Sequence, residues 1–245
     1  MVLAAVISDI HGNMEALEAV FADIRAQEIK NIFVLGDLAL FGGEPNEAID
    51  FIRGLSNEYN TKIIQGNTDL MLIQGASLPS VMQNALDYDR KILRSDNVEF
   101  LAGLPETMSV MLGKTSILLV HGSPRKNDES ILPGKDIKEI IPMIEGVKEA
   151  LILCGHTHFP AGYQIEDKTV VNVGSVGRPF TQDQRSCYLV INADEEKENS
   201  FSLEHRFIKY DAQKAAEKLA KQDFEGAKAL AEMLRKSTNK FVTNS

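Results

Sequence analysis

Of the five histidines in the chain, four directly follow short apolar runs and sit in small loops of polar residues and glycine: His11, His121, His156 and His158. In Asp9-Ile10-His11 the two outer side chains of an extended tripeptide point to the same side, so a carboxylate and an imidazole can converge on one ion. Asp37 stands after Gly36 at the end of a second run, where the two oxygens of a carboxylate can bridge two cations. Asn67, in Gly66-Asn67-Thr68-Asp69, offers a neutral carbonyl oxygen, although a lone Gly-Asn reads as a turn. His121-Gly122 closes the run Ile117 to Val120, and Gly155-His156-Thr157-His158 places two imidazoles at i and i+2. Each residue taken singly has an ordinary role as cap, turn or core group. Together they supply two carboxylates, one amide and four imidazoles from five strand ends. That exceeds the needs of one tetrahedral zinc and suits two cations sharing a carboxylate. Hard oxygen mixed with borderline nitrogen, without thiolate, points to manganese, iron or zinc, with nickel or magnesium as further options. Two such ions about 3.5 to 4 Å apart stabilise the attacking and departing oxygens of in-line displacement at phosphorus, so the expected chemistry is hydrolysis of a phosphate ester.

Such loops need strands to present them. Val2 to Ile7 is a continuous apolar run, the pattern of a buried strand, and Asn13 can cap a helix in which Leu17, Val20, Phe21 and Ile24 share one face. A strand over Ile32 to Leu35, a helix opened by Pro45 and carrying Ile49, Ile52 and Leu55, and a strand over Lys62 to Ile64 complete β-α-β-α-β. This predicts an α/β protein with a parallel sheet, whose ligands gather at the carboxyl ends of the strands. Beyond a helical stretch from Ser80 to Arg94 the chain reads as short strands: 107–112, 116–120, 150–153, 162–165, 169–173, 187–191 and 201–208. Lys135 to Ile144 reads as one intervening helix. A helical extension covers 211–236, where Gly226 bends or divides it, and the whole of 1–245 reads as one domain. The apolar face of that extension fits either its own core or a second copy of the chain, leaving a homo-oligomer open.

At 44% hydrophobic and 25% charged, the composition excludes general disorder, and the formal charge of −9 repels phosphate backbones and anionic membranes. Long nucleic acid and membrane partners are therefore not expected, and a small phosphate ester held at concentrated positive charge is. Cys154 and Cys187 are far apart and form no redox pair, which with the absence of a signal-like leader predicts a cytoplasmic protein.

In combination, Asp9-x-His11, Gly36-Asp37, Gly66-Asn67-x-Asp69, His121-Gly122 and Gly155-His156-Thr157-His158 resemble the calcineurin-like metallophosphoesterase family. Leu119 to Arg125, Val171 to Gly177 and Tyr210-Asp211 resemble its bacterial and archaeal branch of predicted phosphoesterases. The resemblance implies a four-layer α/β/β/α sandwich with a dinuclear site at one edge. It implies that Asp9, His11 and His158 hold one metal, that Asn67, His121 and His156 hold a second, and that Asp37 bridges them. It further implies a bridging hydroxide as nucleophile, with Asp37, Asn67 and His121 positioned around it, acting on phosphodiesters or phosphomonoesters, nucleotides among them. The alternative on the same fold is a weakly catalytic nucleotide sensor or a protein-interaction scaffold.

The sequence departs from the family where a histidine usually follows Gly-Asn and protonates the leaving group: Thr68 stands there, with Asp69 or a water-relayed Thr68 hydroxyl as replacement proton sources. Gly43 and Val173 stand where the branch often has proline. Thr68, Arg125 and Arg178, with Arg185 behind them, are the candidate substrate contacts, and Phe41 and Phe180 could stack on a base.

Overall fold

The computed structural model describes residues 1–240. Strand β1 (Val2–Ile7) lies in the middle of a five-stranded sheet, parallel to β2 (Asn31–Val34), which is parallel to β3 (Asn60–Ile63). On its other side β1 pairs antiparallel with β9 (Ser186–Ala193), followed by β10 (Phe201–Ile208). The second sheet runs in the order β4 (Thr107–Leu112), β5 (Thr115–Val120), β6 (Leu151–Cys154), β8 (Lys168–Asn172), β7 (Ala161–Ile165). Its three inner strands are parallel and its two edges antiparallel.

The continuous apolar strands are buried on both faces. Ala5, Ile7, Ile32 and Val34 point into a core shared with helices, while Ala4, Val6, Phe33 and Leu35 alternate to the other side and meet Ile117, Leu119, Leu151 and Leu153 of the second sheet. On the far face of that sheet, Ile152, Cys154 and Val170 pack against Ile140, Met143 and Ile144. The layers are therefore α/β/β/α, as expected. The outermost layer is thin: α6 spans only Ile137–Ile140 and continues as a 3-10 turn over Ile141–Met143. The longer helix expected over 135–144 does not form, because Pro142 lacks the N–H that an α-helix needs there.

The helical layer on the first sheet contains α1 (Met14–Ala26), α2 (Pro45–Gly54), α3 (Asn67–Gln74), α4 (Ser80–Ile92) and α5 (Ser95–Ala102). Asn13 caps α1 by accepting from Ala16 N at 3.1 Å, as its side chain predicted. Gly66-Asn67 is more than a turn, since it opens α3. The Asp69 carboxylate accepts the Gly66 N–H at 2.8 Å and so caps that helix. The C-terminal extension is two helices, α7 (Ala212–Ala220) and α8 (Ala227–Arg235), separated at Gly226, whose φ of 102° lies where L side chains are strained. Leu219, Leu230 and Leu234 from this pair join the core of the first sheet.

Candidate metal centre

The parallel strands of both sheets end along one edge of the sandwich, and the loops that leave them bond to one another. Asp9 N donates to Gly36 O, His11 N to Asp37 O, and Gly155 N to His121 O. Contacts also cross between sheets: His121 Nδ1 donates to Leu35 O at 2.7 Å, and His156 N donates to Asp9 Oδ2 at 3.0 Å. Gly155 has no room for a side chain, because a Cβ would fall 2.1 Å from Ser8 Oγ and 2.6 Å from Asp9 Oδ2. Asp9, His11, Asp37, His156 and His158 all have positive φ, between 49° and 66°. Non-glycine residues adopt that region rarely and at an energetic cost, so its repetition at five of the expected ligands marks loops held in shape by their surroundings.

All seven expected side chains meet. Asp9, His11, Asp37 and His158 present one ligand atom each within 4.8 Å of one another. His11 Nε2 lies 3.2 Å from His158 Nε2 and 3.7 Å from Asp37 Oδ2, and His158 Nε2 lies 3.1 Å from Asp9 Oδ1. On the other side of Asp37, Asn67 Oδ1 is 2.9 Å from His121 Nε2 and 2.8 Å from His156 Nδ1, and Asp37 Oδ1 is 3.3 Å from His121 Nε2.

The donor set fits divalent cations. His11 and His158 donate their Nδ1 hydrogens to the carbonyls of Leu40 and Arg178, which turns both Nε2 atoms toward each other. Burial, followed by the neighbouring His158, pushes His11 down to about 3, so the His11 ring is neutral near neutral pH and its Nε2 offers a lone pair. Asp9 Oδ1 is buried without a hydrogen-bond partner among the described residues. Ligand atoms from three groups thus converge on one space, an arrangement that a cation relieves. Burial opposes charge on His121, yet the adjacent Asp37 carboxylate outweighs it and lifts the ring to about 10. Burial likewise opposes the Asp37 carboxylate, and the His121 charge holds it far below its usual range.

A cleft of about 230 Å³ opens on this cluster. Arg178 and Thr68, two of the three candidate substrate contacts, line it, as do Phe41 and Phe180. Arg178 is 3% exposed, and burial lowers its guanidinium to about 10. Its Nη1 donates to Phe41 O at 3.2 Å, and its Nε has no partner among the described residues. No carboxylate among the described residues pairs with it. Phe180 lies flat on His158, with centroids 4.1 Å apart, so one face of that ring is already used.

Arg125 lines a second cleft, which shares only Asn67 with the metal-ligand cluster, and it is ion-paired with Glu129. Arg185 is paired with Asp183 in a separate hollow that contains none of the seven, so it is not a site residue. Asp69 does not line the cleft. Its oxygens accept from Gly66 N, Asp37 N and Leu38 N at 2.8 to 2.9 Å, and it is wholly buried. Its work is to hold Asp37 and Asn67 in place. Asn172 is a support that the residue types alone did not reveal: its amide donates to Gly155 O and Thr157 Oγ1, bracing the loop of His156 and His158. Ser175 Oγ donates to Asp9 O and accepts from Arg178 N, both at 2.8 Å. The motif around Val171 to Gly177 was the signal for both.

Among known proteins, residues 2–196 match the model of the calcineurin-like phosphoesterase superfamily domain. An uncharacterised protein of Methanocaldococcus jannaschii is 30% identical over 239 residues, covering 89% of this chain and 92% of that one. The crystal structure of a hypothetical protein from Pyrococcus horikoshii superposes with a TM-score of 0.86 at 24% identity, covering 98% of this chain and all of that one. A metallophosphoesterase from Sphaerobacter thermophilus does so with a TM-score of 0.75, also at 24% identity, covering 97% and 99%. With its ordered motifs gathered at one sheet edge, the chain belongs to the calcineurin-like phosphoesterase superfamily, and its cluster of possible metal ligands supports a metal-dependent phosphoesterase.

Proposed function

We propose that the chain hydrolyses small phosphodiesters or phosphomonoesters at a two-metal centre. The observation that carries this reading is a buried guanidinium, without an acidic partner among the described residues, in a cleft lined by five of the seven converging side chains. Asp9, His11 and His158 would hold one ion and Asn67, His121 and His156 the other, with Asp37 between them. Divalent ions there, manganese, iron or zinc by the donor set, would polarise phosphoryl oxygens and make water acidic enough to attack near neutral pH.

The rest falls to the chain. Arg178 offers a charge-assisted hydrogen bond to a non-bridging phosphoryl oxygen, aimed in advance because the loop from Ser175 fixes its backbone. Phe180 covers the His158 ring and keeps water from it. Thr68 Oγ1 is buried, lines the cleft and has no hydrogen-bond partner among the described residues. A threonine hydroxyl passes a proton only through water, so esters with good leaving groups are favoured.

The test strips the protein of metal, restores Mn²⁺, Fe²⁺, Zn²⁺, Ni²⁺ or Mg²⁺ singly, and follows hydrolysis of an aryl diester and an aryl monoester. Asp37→Asn is expected to lower both bound metal, measured as metal content, and turnover. Full occupancy with full activity in that variant would remove Asp37 from its bridging place.

A further inference from the structure

Besides the ligand cluster and its neighbours, the cleft is lined by Met82 of α4, Met233 of α8 and Asn239 just beyond α8. Met233 and Asn239 lie past residue 196, where the family match ends. This wall is anchored at both ends to loops that carry the site. Lys218 of α7 pairs with Glu15 of α1 and with Glu44 at 2.6 Å each, and Gln222 donates to Gly43 O at 2.8 Å. Asn84 of α4 donates to Glu225 O at 3.1 Å, and the rings of Tyr88 and Phe224 sit 5.4 Å apart. Beyond α8, Gln182 N donates to Ser237 O at 3.0 Å, and Gln184 Nε2 donates to Arg235 O at 2.6 Å. The pair α7–α8 thus spans from the loop that contains Phe41 to the loop that contains Phe180.

What the wall encloses is chemically narrow. Beside the ligand cluster the cleft offers one cation, Arg178, two neutral polar residues, Thr68 and Asn239, and otherwise the rings of Phe41 and Phe180 and two thioethers. Thioethers and aromatic faces favour a flat, polarisable, uncharged group. The volume of about 230 Å³ falls below the roughly 300 Å³ at which sites for drug-sized ligands begin. A phosphoryl group beside one ring or a short chain fits within such a space, and a complete nucleotide must extend out of its mouth past this wall.

We propose that α8 and residues 236–240 form a specificity wall that restricts the site to phosphoesters whose group on this side is a single ring or a short chain. The inference rests on the phosphoester reading above, and it selects within that class against nucleotides.

The test is calorimetric binding to the manganese-loaded protein of three phosphonates that cannot be hydrolysed: methylphosphonate, phenylphosphonate and the 5′-methylenephosphonate analogue of AMP. Wild type is expected to bind phenylphosphonate at least about tenfold more tightly than the nucleoside analogue. Met233→Ala is expected to tighten the nucleoside analogue by about tenfold and leave methylphosphonate unchanged. Met82→Ala, at a half-buried position, is expected to do the same and serves if the Met233 variant does not fold. Equal affinity of wild type for the phenyl and nucleoside probes, or equal shifts of all three probes in the variants, overturns the wall. Failure of methylphosphonate to bind at all overturns the phosphoester reading and the wall with it.

Discussion

Arg178 combines full burial with the absence of an acid, and a charge so placed is a burden on stability unless a ligand repays it. Arg178→Met keeps most of the packing and removes the charge. It is expected to match or exceed wild type in urea unfolding while phosphate affinity falls roughly tenfold to a hundredfold, the range of one charge-assisted hydrogen bond. Loss of stability with unchanged phosphate binding would make Arg178 a structural residue. Thr68 lends itself to the opposite experiment, a gain. Thr68→His should raise kcat/KM for an alkyl phosphate ester, by up to about 10²-fold, far more than for an activated aryl ester. Equal gains on both would sink the leaving-group explanation. The meeting of the seven side chains was legible because histidine, aspartate and asparagine directly after apolar runs have few other reasons to recur in that order. Asp69 misled because its partners are backbone N–H groups of a loop some thirty residues away, which leave no trace in spacing. Met82 and Met233 left none either, since a methionine facing a cleft and one facing a core have the same periodicity.

At the scale of elements, strands were legible to within one or two residues, the inner ones β1, β2, β6 and β9 because burial on both faces writes an unbroken apolar signal. Short helices were not. α5 has Asn97 and Leu101 as its only buried residues, too few for a period to show. One helix also carries a titrating group away from the ligands. Asp89 of α4 is 1% exposed, accepts from Phe41 N at 3.2 Å through Oδ2, and leaves Oδ1 without a partner among the described residues. Burial pushes its carboxyl up to about 7 from 3.8. A folded-state pKa above the unfolded one means that the native protein holds the extra proton between those values. Stability from this group is therefore full below about pH 4 and declines as pH rises to about 7, by at most about 4 kcal/mol at 1.36 kcal/mol per unit. Asp89→Asn is expected to be progressively more stable than wild type as urea unfolding is moved from pH 5 to pH 8. A difference independent of pH would show that Asp89 is charged throughout.

For the whole molecule, the ligands come from five loops on two sheets, so an ion bound there fastens both sheets together and stabilises only the folded state. Metal present at about a thousand times its Kd adds about 4 kcal/mol, and in a chain of this length that corresponds to a melting temperature higher by on the order of 10 °C. Chelation should lower the thermal midpoint by that amount and restored metal should recover it. No change on chelation would show that the cluster holds no ion in solution. No described helix is long and apolar enough to cross a membrane. The order of the strands has a further consequence, for the timing of metal choice. The first sheet inserts β1 between β2 and β9, and the second sheet supplies His121, His156 and His158, so most of the chain must be synthesised before any complete ligand set exists. A chain still emerging from the ribosome offers only Asp9, His11, Asp37 and Asn67, a loose and oxygen-rich group. A metal bound at the proposed centre would thus be selected by the pool that the finished protein meets, and the same polypeptide produced in hosts with different metal supplies should carry different ions.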